Sequence, residues 1–145
     1  MLKVDMIDKG TVVDHIKAGK GAKVLEILGI DEDYPNRVAL MMHVPSKKGG
    51  SKDIVKIAEK LVDEKDANII ALISPGCSVN IIENQQVSRK FRVELPGSLD
   101  GAGRCPNPNC VTESENDVSQ MFCKEGEDHY RCHYCERLFK AEELV

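Results

Sequence analysis

SKDIVKIAEKLVDEK, residues 51–65, decides how many helices this chain contains. Ile54, Ile57, Ala58, Leu61 and Val62 stand at offsets 0, 3, 4, 7 and 8, one stripe of an α-helix, and Ser51 occupies the place of an N-cap. The spacing predicts a helix over 51–65. Lys56, two positions beyond Ile54, then turns about 200° away from the stripe and reads as a solvated lysine.

Outward from that stretch, NIIALI (68–73) reads as a buried strand. Pro75-Gly76 suits the centre of a type II turn and SVNIIEN returns, so 69–84 reads as a β-hairpin. RKFRVEL is a further extended piece. Upstream, RVALMMHVP reads as a strand ended by Pro45. AGKGAKVLEILGI reads as a helix, with Ala18, Ala22, Leu25 and Leu28 spaced by four and three and Gly29 at a left-handed C-terminal cap. Before it, LKVDMID and TVVDHI are extended on either side of Gly10. Two helices interleaved with several strands predict an α+β layer, both helical stripes packed on one face of an antiparallel sheet.

The 145 residues are 41% apolar and 30% charged, a globular composition. The longest apolar runs fall far short of the roughly 20 residues of a spanning helix. The N-terminus lacks a signal-peptide core, so a cytoplasmic location and no membrane partner are expected. PGSLDGAG, 96–103, marks a change of composition and predicts a boundary: a first domain over 1–96, a linker over 97–103, a second domain over 104–145. Residues 1–96 carry 15 Lys and Arg against 14 Asp and Glu, net +1, whereas 97–145 carry 5 against 10, net −5.

The second piece has few large apolar side chains, chiefly Val111, Val118, Met121, Phe122, Leu138, Phe139 and Leu144, and needs a staple. CPNPNC (105–110) and CHYC (132–135) supply one. Cys105 and Cys110 have four residues between them, Cys132 and Cys135 two, and 21 separate the pairs. In a reducing compartment two such turns read as four sulfur ligands to one structural zinc ion, with no open position for catalysis. A redox role for the CxxC is the competing reading. Cys123, His129 and His133 compete as ligands, Cys123 in place of Cys110 in particular. Cys77 reads as a small buried filler.

No enzyme signature is present, and GKGAK (19–23) only resembles a phosphate loop. Asp14 and His15 are adjacent on a strand, where neighbours point to opposite faces, so they do not read as a dyad. A zinc-ribbon nucleic-acid-binding protein is the alternative function. The acidic tail argues against it, because phosphate binding needs a cationic surface, and no nucleic-acid partner is expected.

KGTVVDHI, KDIVKI, SVNIIEN, CPNPNC and CHYCE, in this order and spacing, resemble the regulatory chain family of aspartate carbamoyltransferase along nearly the whole length. The resemblance implies a ferredoxin-like nucleotide-binding domain followed by a small zinc-bound, mostly β domain that docks on the catalytic chain. It implies no catalytic activity and a regulatory role in pyrimidine biosynthesis. CTP and ATP are the implied effectors, with self-association through the N-terminal domain. Carried over by position, the nucleotide-binding residues are Val4, Met6, Ile7, Val12, Asp14, His15, Lys56, Asn80, Ile82, Val87 and Lys90. Lys90 with Arg89 is the first choice for the triphosphate, and Lys56 is directed to ribose or phosphates. Gln85 stands where the family often has tyrosine, which alters the wall beside the base. The same resemblance selects Cys105, Cys110, Cys132 and Cys135 for the metal and offers Asn107, Asn109 and Glu136 as contacts to the catalytic chain.

Overall fold

The computed structural model describes residues 7–47, 49–115 and 117–145. The chain divides into two compact units, Met1–Glu94 and Leu95–Val145. In the first, β1 (Lys9–Lys17), α1 (Gly21–Ile27), β2 (Val38–Pro45), β3 (Ser51–Ala58), α2 (Glu64–Ile73), β4 (Ser78–Glu83) and β5 (Gln86–Arg92) follow in order. Their strands form one sheet in the order β2-β3-β1-β4-β5, every pairing antiparallel. The first four strands and two helices give the ferredoxin-like β-α-β-β-α-β arrangement, to which β5 adds an edge.

The stretch 51–65 is not a helix. Residues 51–58 are the strand β3, and the physical reason is the alternation within SKDIVKIA. Asp53, Val55 and Ile57 are fully buried on one face, while Lys52, Ile54 and Lys56 turn to the other. Two of these three positions, Asp53 and Val55, lie off the helical stripe. β-branched Ile54, Val55 and Ile57 also suit a pleated surface. The helix lies downstream and takes in NIIALI, which is therefore not a strand. Asp63 caps it, its carboxylate accepting the N–H of Asp66 at 2.8 Å, with Glu64 and Asp66 in the first turn. A short apolar run such as NIIALI fits a buried helix and a buried strand equally, and the acidic cap decides.

The hairpin moves as well. It joins β4 to β5 through Asn84 and Gln85, both left-handed at φ 55° and 65°, the geometry of a type I′ turn. Pro75 and Gly76 do occupy the centre of a turn, with Gly76 at φ 87°, but that turn leads from α2 into β4. α1 is shorter than its sequence pattern, and it ends as expected. Gly29 at φ 73° donates to Glu26, and Ile30 donates to Leu25, the paired bonds of a Schellman cap.

The core sits between the helices and one sheet face, where Leu40, Val55, Val13 and Val79 lie in one cross-strand rank. α1 packs against α2, β2 and β3. Asp53 is the one buried carboxylate among the described residues. Its Oδ2 accepts the N–H of Gly19 at 3.0 Å and of Gly21 at 2.8 Å, and its Oδ1 that of His43 at 3.0 Å. A Cβ on Gly21 would stand 2.5 Å from Leu40 Cδ1 and 3.0 Å from Asp53 Oδ2, so only glycine lets the carboxylate approach. Cys77 is fully buried, and that burial pushes its thiol up to about 12, as suits an inert filler.

In the second unit, β6 (Ser98–Asp100), β7 (Met121–Glu125), β8 (His129–Cys132) and β9 (Leu138–Lys140) form an antiparallel sheet in sequence order. α3 (Val111–Ser114) and a terminal 3-10 turn, Ala141–Leu144, complete it. The stretch expected as a linker, 97–103, instead carries β6, because Leu99 is buried opposite Phe122. No helix among the described residues is long and apolar enough to cross a membrane.

Candidate functional site

The face of the first sheet turned away from the helices collects most of the expected nucleotide residues. Val12 on β1 stands opposite Lys56 on β3 and Asn80 on β4, and Asn80 stands opposite Lys90 on β5. Residues directly opposed in an antiparallel sheet share a face, so Lys56, Val12, Asn80 and Lys90 form one rank across four strands. Three strand spacings put the backbones of the two lysines about 14 Å apart. Neither ammonium group has a hydrogen bond or ion pair among the described residues. On one side of the rank, Ile7, Ala58 and Ile82 form an apolar cluster with Val12 packed against it, and Val87, 56% exposed, stands opposite Ile82. Gly10 runs through this cluster, where a Cβ would fall 2.1 Å from the Ile57 carbonyl oxygen. Val4 and Met6 lie outside the described residues.

On the other side of the rank stands a constellation that strict strand alternation does not allow. β1 carries a bulge between Val13, paired with Val55, and Ile16, paired with Asp53, so that Asp14 and His15 together oppose the single residue Ile54. His15 takes φ 60°. Its N–H donates to Asp14 Oδ1 at 2.6 Å, its Nδ1 lies 4.0 Å from that oxygen, and Ser78 Oγ is 3.4 Å from Nδ1. The bulge thus overturns the expectation that Asp14 and His15 face apart. Lys52 joins them, its Nζ 3.0 Å from Asp14 Oδ1. The helical reading of 51–65 left Lys52 unconsidered; once KDIVK is a strand, Lys52 and Lys56 share a face.

Two neighbouring expectations change. Arg89 does not accompany Lys90: it pairs with Ile81 on the helix-facing side, and its guanidinium lies 4.9 Å from the centre of the Phe91 ring. Gln85 sits at the hairpin tip, where its Nε2 donates to Asp8 Oδ1 at 2.6 Å and its N–H to the Asp8 carbonyl at 3.1 Å, tying the hairpin to the chain entering β1. A cleft of about 350 Å³ between α2 and β5, lined by Asn68, Arg89 and Phe91 among others, contains Arg89 but neither lysine of the rank nor its apolar neighbours.

In the second unit, the sulfur atoms of Cys105, Cys110, Cys132 and Cys135 all lie within 4.8 Å of one another. Each short loop faces the other: Cys105 Sγ is 3.7 Å from Cys135 Sγ, and Cys110 Sγ is 3.7 Å from Cys132 Sγ. Three of the four are buried, and Cys135 is half-buried. The competing ligands stand elsewhere. Cys123 is exposed on β7, His129 Nδ1 lies 2.7 Å from the Asp128 carboxylate, and His133 packs edge-on against Tyr134. Burial raises Cys105 and Cys132 above the ordinary thiol value, with the neighbouring sulfurs adding to it. Burial also opposes ionisation of Cys110 and Cys135, but hydrogen bonds outweigh it: from Thr112 for Cys110, and from the Arg137 backbone and Asn107 side chain for Cys135, which falls to about 7. Four thiols this close cannot all ionise unaided, and a cation among them removes the conflict.

Of the residues expected to touch a partner, Asn107 is 7% exposed and its Oδ1 accepts the Asn109 N–H at 3.0 Å, so it builds the metal loop from inside. Asn109 and Glu136 are exposed. Glu136 takes φ 62°, and its carbonyl accepts Arg131 Nη1 at 2.6 Å.

A family model described as the aspartate carbamoyltransferase regulatory chain, allosteric domain, matches residues 2–94, and one described as the metal binding domain of the same chain matches 98–145. The chain belongs to the aspartate carbamoyltransferase regulatory chain family. Aspartate carbamoyltransferase regulatory chains of Pyrococcus horikoshii and Pyrococcus furiosus are each 47% identical to it over 99% of this chain and 96% of their own. That of Thermoplasma acidophilum is 39% identical over the same shares. The two families of contacts above fall one in each matched region: the outward sheet face in the allosteric domain, the four cysteines in the metal binding domain. As a member of a regulatory chain family, the chain is regulatory and not catalytic.

Proposed function

We propose that the outward face of the first sheet binds the nucleotide effectors CTP and ATP, and that a single zinc ion holds the second unit in the shape that docks on the catalytic chain. The observation that carries the first part is the rank Lys56-Val12-Asn80-Lys90, whose two ammonium groups have no hydrogen-bond or ion-pair partner among the described residues and stand beside an apolar patch. The base lies on Ile7, Val12, Ile82 and Val87, Asn80 hydrogen-bonds to its edge, and Asp14, His15 and Lys52 surround the ribose. Lys90 and Lys56 meet the phosphates as point charges. Val4 and Met6 belong to the same proposed site by position.

Zinc is the ion the donors fit. Four sulfurs bound at about 2.3 Å in a tetrahedron stand about 3.8 Å apart, and the two closest pairs here are at 3.7 Å. Cys105, Cys110, Cys132 and Cys135 would hold it, and a filled sulfur shell supplies architecture instead of a reaction. Asn109 and Glu136 beside the metal loops then face the catalytic chain, with Asn107 shaping the loop that presents them. First units of two chains pair with each other in the cytoplasmic assembly. Nucleotide binding that differs by 1–3 kcal/mol between two quaternary states shifts their balance about 5–150-fold, enough for regulation.

Calorimetry with CTP and ATP on the purified chain tests the site. Lys90→Ala should weaken triphosphate binding by about tenfold or more while leaving the melting temperature unchanged, since the wild-type ammonium makes no hydrogen bond or ion pair among the described residues. Wild-type chain that binds neither nucleotide, or Lys90→Ala chain that binds as tightly as wild type, sinks the assignment.

A further inference from the structure

Around the four cysteines, the two loops are supported differently. The second is framed by backbone: Glu136 N–H donates to the Cys132 carbonyl and Cys132 N–H to the Arg137 carbonyl, both at 3.0 Å. The first has one backbone bond, Cys110 N–H to the Asn107 carbonyl at 3.1 Å, and several side-chain supports besides. Gln120 Oε1 accepts the Cys105 N–H at 3.2 Å. Arg104, next to Cys105, grips Glu113 through Nε and Nη2 at 3.0 and 2.9 Å. Between these anchors, Cys110 stands at the N-cap position of α3, and Thr112, the second residue of that turn, points its Oγ1 at Cys110 Sγ, 3.2 Å away. The Arg104-Glu113 clamp fixes the turn that carries Thr112 to the residue preceding the first ligand, so the hydroxyl is held over the sulfur by both ends of the loop.

Four thiolates around one divalent cation carry a charge of −2 in a segment already at net −5. Of the second unit's cations, Arg104, Lys124, Arg131, Arg137 and Lys140, none makes a side-chain hydrogen bond to any of the four sulfurs among the described residues. Backbone N–H groups and the Asn107 side chain draw charge from the other sulfurs, and at Cys110 the Thr112 hydroxyl proton does so from a side chain and fixes the direction from which that sulfur presents its lone pairs.

We propose that Thr112 is a positioning residue of the metal centre, its hydroxyl donating to the Cys110 thiolate and thereby holding that ligand on the ion. The inference rests on the metal-site reading and fails separately from it. If wild-type chain binds no cobalt(II) or zinc, the site itself is wrong; if wild type binds and the variants below do not differ, only Thr112 is wrong.

The test compares Thr112→Val, which keeps the shape, and Thr112→Ser, which keeps the hydroxyl, in the full-length chain. The cobalt-loaded Val variant should shift its sulfur-to-cobalt charge-transfer band to lower energy, because a thiolate without its donor gives up electrons more readily. Its zinc should pass to a competing chelator about tenfold faster. The Ser variant should match wild type in both. Identical bands and release rates for Val and wild type overturn the proposal, as does a Ser variant that behaves like Val. If Val does not load metal, Thr112→Ala and Thr112→Ser decide: loading by Ser alone supports the hydroxyl, and equal behaviour of the two overturns it.

Discussion

Chelating the metal from the purified chain is expected to unfold Leu95–Val145 and leave the sheet of Met1–Glu94 intact. Unit two has a small core, chiefly Leu99, Phe122, Tyr130 and Leu144, closed by short strands of three to five residues. Such a core does not offset the conformational entropy of some fifty ordered residues. Zinc binding contributes roughly 10–16 kcal/mol in small finger peptides, as much as the whole stability of an ordinary domain. The four ligands join the segment before α3 to the end of β8 and the turn into β9, so an ion held by them would tie the first loop to the sheet. Amide exchange resolves the two halves: protection in β7 and β8 should vanish with chelator while protection in β1, β3 and β4 persists. Cys132→Ser should reproduce the loss, since Cys132 is fully buried and supplies a sulfur. Persistent protection in β7 and β8 in metal-free chain would refute the expectation.

The second large effect belongs to Asp53. Removing its carboxylate in Asp53→Ala orphans three backbone N–H groups in a buried corner, at a cost of about 3 kcal/mol or more. For a unit of this size that lowers the melting temperature by roughly 10–20 °C. Burial acts to raise the Asp53 pKa, but the backbone donors of His43, Gly21 and Gly19, with the charge of His43, together hold it below the ordinary value. A depressed folded-state pKa contributes stability that is fully present above the unfolded value, near 4, and is lost as pH falls through the folded one. The stability difference between wild type and Asp53→Asn should therefore be constant from neutral pH to about 5 and shrink in more acid solution. A difference that grows as pH falls would mean the carboxylate is not held ionised.

Much of the candidate site was legible in sequence despite an error in the fold around it. TVVDHI and SVNIIEN are strands under any reading, so Val12, Asn80 and Ile82 were placed correctly on extended backbone, and the cysteine loops carried their own geometry in their spacing. SKDIVKIA failed because its apolar residues satisfy both periods over eight positions. Deciding between them needed two facts that periodicity does not carry: that a buried aspartate finds three backbone donors, and that Asp63 caps the real helix. The error had a local consequence, since Lys52 stands with Lys56 on a strand face and was not recognised. Asp14 and His15 show the opposite failure. Strand alternation separates them, and only a bulge at a left-handed histidine, which neither residue's identity signals, brings them together. Asn107 was expected at the partner surface, whereas it is buried and its side chain closes the metal loop.

The division of labour between the two halves is open to one decisive titration: CTP or ATP against metal-stripped chain by calorimetry, with association to the catalytic subunit followed in parallel. Nucleotide affinity should survive chelation unchanged while the chain loses its hold on the catalytic subunit, and both should be whole again when zinc is restored. Nucleotide binding that disappears with the metal, or assembly that persists without it, would contradict the assignment of recognition to the first unit and docking to the second.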